Sequence, residues 1–217
     1  MKKQICILFF SISLFGYSQK KINKKIEFPF SEIELFTEGL DNIIIENSES
    51  NFVEIYLFDE NSNHHHIGIE EKNEVLKIGF QIESIQFEET IFRKFITKRL
   101  HRASAVVKVP ENKSITIFGN NIDIESKDYK GDFFIFIEKG DLKFNNVQKD
   151  VSVKLYAGKV SAILRNTSID VVSTIGKIIV DDKIMTISYK KQQAKSFSKF
   201  SVTSTKANIL LTTQKIQ

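Results

Sequence analysis

Residues 139–180 read KGDLKFNNVQKDVSVKLYAGKVSAILRNTSIDVVSTIGKIIV, with glycines at 140, 158 and 176, each eighteen residues after the last. Stepping in nines from Phe133 meets Leu142, Val151, Val160, Ile169, Ile178 and Ile187. Stepping in nines from Ile135 meets Phe144, Val153, Ala162, Val171, Val180 and Tyr189. The two members of each pair sit two apart, the spacing that places both side chains on one face of a strand. Between them stand polar or small residues such as Lys143, Ser152, Ser161, Asp170 and Ser188. The unit is therefore a short strand plus a turn. Glycine marks every second turn, while Lys149, Thr167 and Met185 hold the equivalent place in the others. Two kinds of corner alternate, and a corner that selects glycine points to backbone with φ > 0.

The columns extend upstream through Ile122/Ile124, Ile115/Ile117 and Val107/Val109. Downstream, Phe200/Val202 are read as answering Ile178/Val180, and Ile209/Leu211 as answering Ile187/Tyr189. This predicts an all-β chain built on a parallel two-sheet β-solenoid of about six coils, with successive coils roughly 4.8 Å apart. The competing architecture is an antiparallel meander. It should favour Asn-Gly or Asp-Gly hairpin turns, which join none of these strands, and it would need a cover for a broad apolar face. The calcium-binding nonapeptide repeat is excluded because no turn carries Gly-Gly-x-Gly-x-Asp.

Before Val106 the pattern changes. IIIEN, NFVEIYLF, HIGIEE and VLKIGFQ are strand-like runs separated by polar turns, which predicts a small antiparallel β lobe. From Ile85 to Arg102, apolar residues recur at helical intervals with acids early and bases late, which suits an amphipathic helix or a long hairpin. The first residues, MKKQICILFFSISLFGYSQ, combine a basic start, an apolar run and small residues before a cleavage point, the pattern of a secretory signal. The expected organisation is a signal peptide at 1–18, the N-terminal lobe at 19–104 and the solenoid at 105–217. The single cysteine, Cys6, lies in the signal, so no disulfide is expected and stability must come from packing. Formal net charge is only +4 and falls by two with Lys2 and Lys3, which gives no electrostatic case for nucleic acid. No second apolar run is long enough to span a membrane, so no transmembrane segment is expected in the mature chain. The expected location is the periplasm or the bacterial cell surface.

The stretch VKVPENKSITIFGNNIDIES, with a Val-Pro motif ahead of the first strands, and the Gly-Asp-hydrophobic repeats GDFFIFIEKGDLKF and AGKVSAIL resemble a known family. It is the bacterial putative-adhesin family of short β-strand repeats, related to auto-transporter adhesin heads. The resemblance covers roughly residues 105 to 211. It implies an exported parallel β-solenoid acting as an adhesin-like binding or scaffold protein. It supplies no catalytic residues and no cofactor. The final run NILLTTQKIQ has no sign of a translocator barrel or sorting module, so autotransport by this chain alone is not expected.

Four clusters are candidate sites. His64 and His66, at the i, i+2 spacing of one strand face, could share a metal ion with a third ligand, against the plainer reading of a polar turn. Arg93, Lys98, Arg99 and Arg102 could meet anionic sugar or lipid headgroups, against the reading of a solvated helix face. Phe134 and Phe136 alternate with inward Phe133, Ile135 and Ile137 and should point outward, either to the N-terminal lobe or to a partner. Asp181-Asp182 resembles the paired acids of polysaccharide hydrolases, but the chain after Arg102 has no histidine to complete such a site. The leading expectation is a non-enzymatic binding or scaffold module whose partner is a cell-surface glycan or an envelope protein. The alternatives are a polysaccharide-active enzyme and a self-assembling structural protein, the latter through an unpaired edge at Ile209–Leu211.

Overall fold

The computed structural model of the chain describes residues 20–59, 65–82, 103–193 and 196–214. Every regular element among the described residues is a strand. The strands are β1 (Lys20–Glu27), β2 (Glu32–Phe36), β3 (Asn42–Asn47), β4 (Phe52–Asp59), β5 (His65–Lys72) and β6 (Val75–Ile82). Then come β7 (Ala103–Val109), β8 (Ser114–Asn121), β9 (Asp123–Lys127), β10 (Asp132–Val147), β11 (Val151–Arg165) and β12 (Thr167–Ser173). The chain closes with β13 (Ile178–Val180), β14 (Lys183–Ile184), β15 (Ser188–Lys191) and β16 (Ser198–Gln214). Hydrogen bonding joins them into one large mixed sheet that does not close on itself.

The eighteen-residue period is visible in the register. Strand β10 pairs with β11 in parallel, Phe133 opposite Val151 and Leu142 opposite Val160. Each of these long strands turns a corner at a glycine, so its first half joins one arm of the sheet and its second half another. Upstream, the first half of β10 pairs in parallel with β8 and the second half with β9. Alternate residues of both arms are buried, among them Phe133, Ile135, Leu142 and Phe144. The arms share one core: Phe144 of the second arm lies edge-on to Phe133 and Phe200 of the first, at 6.0 and 5.6 Å between ring centroids.

In β10 and β11 the corner needs glycine for two reasons, whereas β16 carries Ala207 at the same rung. Gly158 has φ of +133°, a conformation that residues bearing Cβ rarely adopt, and a Cβ there would lie 2.0 Å from the Gly140 carbonyl oxygen. Gly140 and Gly176 face the same obstacle, with carbonyl oxygens of Ile122 and Ala207 at 1.9 Å from a built Cβ. Both kinds of corner also leave main-chain N–H groups to satisfy, and acidic side chains do so. Asp123 accepts the N–H of Asp141, Asp132 that of Asp150, and Asp150 that of Lys199, at 2.8, 3.0 and 2.8 Å.

The stacking order departs from the serial one expected. Strand β16 lies between β11 and the pair β12/β13, in parallel with all three. Phe200 therefore sits opposite Val151 and Ile169, and Ile209 opposite Val160 and Ile178. Ile209–Leu211 is an interior rung, so the edge expected there for self-association does not exist; at this end the strands paired on one side only are β14, antiparallel to β13, and β15, antiparallel to β12. Ile187 is exposed at 62% and Tyr189 pairs antiparallel with Val171, so the nine-residue columns end at Ile178 and Val180.

The N-terminal strands are mixed rather than an antiparallel meander. Strands β2 and β3 continue the parallel stack, Ile33 opposite Ile115 and Ile43 opposite Ile124. IIIEN and NFVEIYLF do not pair with each other, because β7 lies between them, parallel to β3 and antiparallel to β4. Antiparallel pairs close the outer ends, β1 on β4 and β5 on β6. The expected helix at 85–102 lies outside the described residues.

Tyr129 fastens the corner between β7 and β8. Its buried hydroxyl reaches the carbonyl oxygens of Lys113 and Pro110 at 2.9 and 3.3 Å, and its ring stands edge-on to Phe133 at 5.2 Å. Gly131 makes the room, since a Cβ there would lie 2.5 Å from the Tyr129 ring. Burial pushes the Tyr129 phenol well above its ordinary range.

Candidate functional site

A strand of this sheet has an inward and an outward face, and parallel register aligns outward residues into columns across the rungs. The outward columns of the two arms differ in chemistry. On the second arm one column runs Lys25, Glu54, Lys108, Glu46, Lys127, strictly alternating in sign. Ion pairs join it at 3.2 Å (Lys25–Glu54), 3.8 Å (Lys108–Glu46) and 3.1 Å (Lys127–Glu46). Glu54 is held below the usual carboxylate range, first by the Tyr56 hydroxyl at 2.7 Å and then by Lys25. Beside it Glu125 accepts from Asn145 and Lys143, both at 3.1 Å, and is lowered likewise. Exposed pairs contribute little stability each, but their regular alternation marks a face adapted to water.

The first arm carries aromatic rings instead. Its outward column runs Gly79, Phe36, Phe118, Phe136, Lys154, Thr203 and Val172. Phe36, Phe118 and Phe136 stack in sequence, with centroids 5.4 and 5.6 Å apart and planes 18° and 15° from parallel. The Lys154 ammonium closes the stack 5.6 Å from the Phe136 ring. Phe134 stands in the neighbouring column between Thr116 and Ser152. Phe36, Phe134 and Phe136 remain 37–39% exposed. Next to the stack lies a shallow trough of about 530 Å³ lined by Phe136, Lys154, Val172, Thr203 and Thr205.

Phe134 and Phe136 thus point outward as expected. Phe136 reaches the N-terminal strands only indirectly. It packs on Phe118 and, through that ring, on Phe36 of the N-terminal strands, and it keeps an accessible edge. Phe36 and Phe118 escaped the sequence reading, although each follows an inward residue at the same phase as Phe136; the signal was there in ELF and TIF. Asp181 and Asp182 form the two-residue turn of the β13–β14 hairpin, with φ of 47° and 63°. The Asp181 carboxylate accepts from the Thr213 N–H and hydroxyl at 2.7 and 2.6 Å, which lowers its pKa. His66 lies on β5, whereas His64, Arg93, Lys98, Arg99 and Arg102 lie outside the described residues. Among the described residues no three His, Cys, Asp or Glu side chains converge as a metal site, and no helix is long and apolar enough to cross a membrane.

A solved structure of a putative cell adhesion protein from Clostridium sporogenes shares this fold. It aligns over 90% of this chain and 100% of its own at 13% identity, with a TM-score of 0.62. Putative adhesins from Bacteroides fragilis and Parabacteroides merdae align over 91% of this chain and 99% and 97% of their own, at 11% and 12% identity. Their TM-scores are both 0.28, so the likeness of fold rests on the clostridial structure. No protein-family model and no curated protein matches the sequence.

Proposed function

We propose that the chain is an exported, non-enzymatic two-sheet parallel β-solenoid that works as an adhesin-like binding or scaffold module at the cell envelope. Its stacked Phe36–Phe118–Phe136 face is the contact surface, and its partner is an envelope protein. The observation that carries this reading is the asymmetry of the two outward faces. One alternates charge rung by rung, as a purely solvated surface does; the other keeps aromatic rings half open to water, where contact residues of high energetic value concentrate. The signal-like first residues and the fold shared with a putative cell adhesion protein support export and binding.

The test uses purified protein applied to intact cells and to isolated envelopes of the producing bacterium. Wild type should bind, and the double substitution Phe134→Ser, Phe136→Ser should weaken binding by about tenfold or more, the effect of losing a central aromatic anchor. Unchanged binding by a folded double variant would remove the aromatic face from the function. Protease digestion of intact cells tells surface display from periplasmic residence.

A further inference from the structure

The aromatic column of the first arm runs out at a pair of glycines. On β6, Gly79 stands opposite Phe36, and on β5, Gly68 stands opposite Gly79. Both lie on the outward face, because Ile78 and Phe80, on either side of Gly79, are buried. A Cβ built on Gly79 meets nothing within 4 Å, and one on Gly68 meets only the Gly79 carbonyl oxygen, at 3.8 Å. Neither residue has a left-handed φ, and β5, β6 and β2 pair here without a bulge. Neither crowding nor backbone geometry therefore calls for glycine at these two places, and glycine inside a strand often marks close approach by another molecule. Strands lie about 4.8 Å apart, so the pair leaves roughly 10 Å of the column bare. Phe36 borders that gap. One face of its ring stacks on Phe118, and among the described residues no ring or cation stands against the other.

We infer that the gap is a socket for an aromatic side chain of a protein partner, which lies over Gly79 and Gly68 and stacks on the free face of Phe36. This rests on the aromatic face being the contact surface, and it names the anchor which that surface takes. The rings of Phe136, Phe118 and Phe36 follow one per rung at 5.6 and 5.4 Å, so the rung of Gly79 is the next place in an existing series. The floor suits a ring better than a sugar. Gly79 lies between two hydrogen-bonded strands, so its main-chain groups serve the ladder rather than a ligand's hydroxyls. Charge does not select an anion here either. Lys77, two positions before Gly79, is already paired with Glu34 at 3.2 Å, whereas the opposite end of the stack has the Lys154 ammonium against Phe136. A rigid ring held between a second ring and a backbone floor buries much apolar area at little cost in side-chain freedom, as the anchors of protein interfaces do.

The experiment uses the whole chain and a terminally blocked glycine pentapeptide with tryptophan at its centre. The protein has no tryptophan, so fluorescence of the peptide reports binding without background. Ligand-observed saturation-transfer NMR adds the contact map, with a leucine-centred peptide and methyl glucoside as comparisons. The tryptophan peptide should bind, with saturation strongest on its indole protons, and both comparisons should bind more weakly. Gly79→Phe places a ring of the chain's own in the socket and should lower affinity at least about tenfold, as should Phe36→Leu, which removes the stacking face. Both positions lie at the surface, and circular dichroism confirms that the variants fold. Gly79→Phe should also weaken binding to isolated envelopes. The inference is overturned if the tryptophan peptide does not bind, if leucine or the glucoside binds as well, or if Gly79→Phe binds the peptide as wild type does. Envelope binding that Phe134→Ser, Phe136→Ser weakens but Gly79→Phe does not would also overturn it, and would leave the aromatic face standing. Peptide binding lost in Gly79→Phe, from a wild type that ignores envelopes, would support the socket and remove the envelope partner.

Discussion

Replacing Gly158 by alanine tests the stack at one of its tight corners. Two costs add. The first is conformational: φ of +133° belongs to glycine, and forcing another residue into such a region costs about 1–3 kcal/mol. The second is steric. The new methyl would start 2.0 Å from the Gly140 carbonyl oxygen, against 3.4 Å or more in ordinary contact. Two rungs about 4.8 Å apart would have to part by more than an ångström, and overpacking of that kind costs about 1–3 kcal/mol. The sum is about 2–6 kcal/mol, a large share of the roughly 5–15 kcal/mol that holds a domain together. Gly79→Ala is the matched control. It too lies in a strand, but its added Cβ meets nothing within 4 Å. Relief of glycine's excess freedom should stabilise that variant by about 0.5–1 kcal/mol. Urea titration followed by circular dichroism reads both. A Gly158→Ala protein within about 1 kcal/mol of wild type, or no less stable than Gly79→Ala, would refute the close-contact account of the corner.

Cysteine pairs test the unexpected order of rungs, in a chain whose only native cysteine is Cys6. Ser152→Cys with Ser201→Cys should oxidise to a disulfide because these residues are opposite neighbours, whereas Ser152→Cys with Asp170→Cys should not, being two strands apart. Tyr129→Phe should cost about 1–2 kcal/mol by leaving the Lys113 and Pro110 carbonyls without their buried donor. Because the folded phenol titrates above its unfolded value, its contribution is complete below about pH 10 and is lost as pH rises beyond that. Alkaline melting curves should therefore lose this component in Tyr129→Phe. Asp181 has the opposite sign: its folded pKa is lowered, so its contribution is present above about pH 4 and fades as pH falls through the folded value. Asp181→Asn should flatten the acid side of the stability profile slightly, the group being largely exposed.

The strand content, the eighteen-residue register from Phe133 to Ala162 and the outward placement of Phe134 and Phe136 were legible because each follows from local alternation. Alternation says which face a residue occupies, but not which strand lies beside it. Phe200 and Val202 fit the inward column whether they follow Val180 in series or slide between Val153 and Val171; only the long-range pairing decides. The hint was the break in spacing after Val180, where Asp181-Asp182 turns the chain back into a hairpin and takes Ile187 out of the core. The same holds at the other end. IIIEN reads as a strand, but its neighbours come from residues some 60 and 80 positions later, a separation that no local pattern encodes. The aromatic stack was half legible, since three rings on one column come together only once the register of β2, β8 and β10 is known.

The position of β16 limits how such a protein can grow or shrink. Between β10 and β11 an extra eighteen residues could enter as one more bent strand, paired in parallel on both sides. Past Arg165 that freedom ends. Strands β12 and β13 find their parallel neighbour only in β16, further along the chain, so a chain without Ser198–Gln214 would leave them only their antiparallel partners β15 and β14. Strand β16 is the wedge that joins β11 to β12 and β13, and their assembly must wait for it.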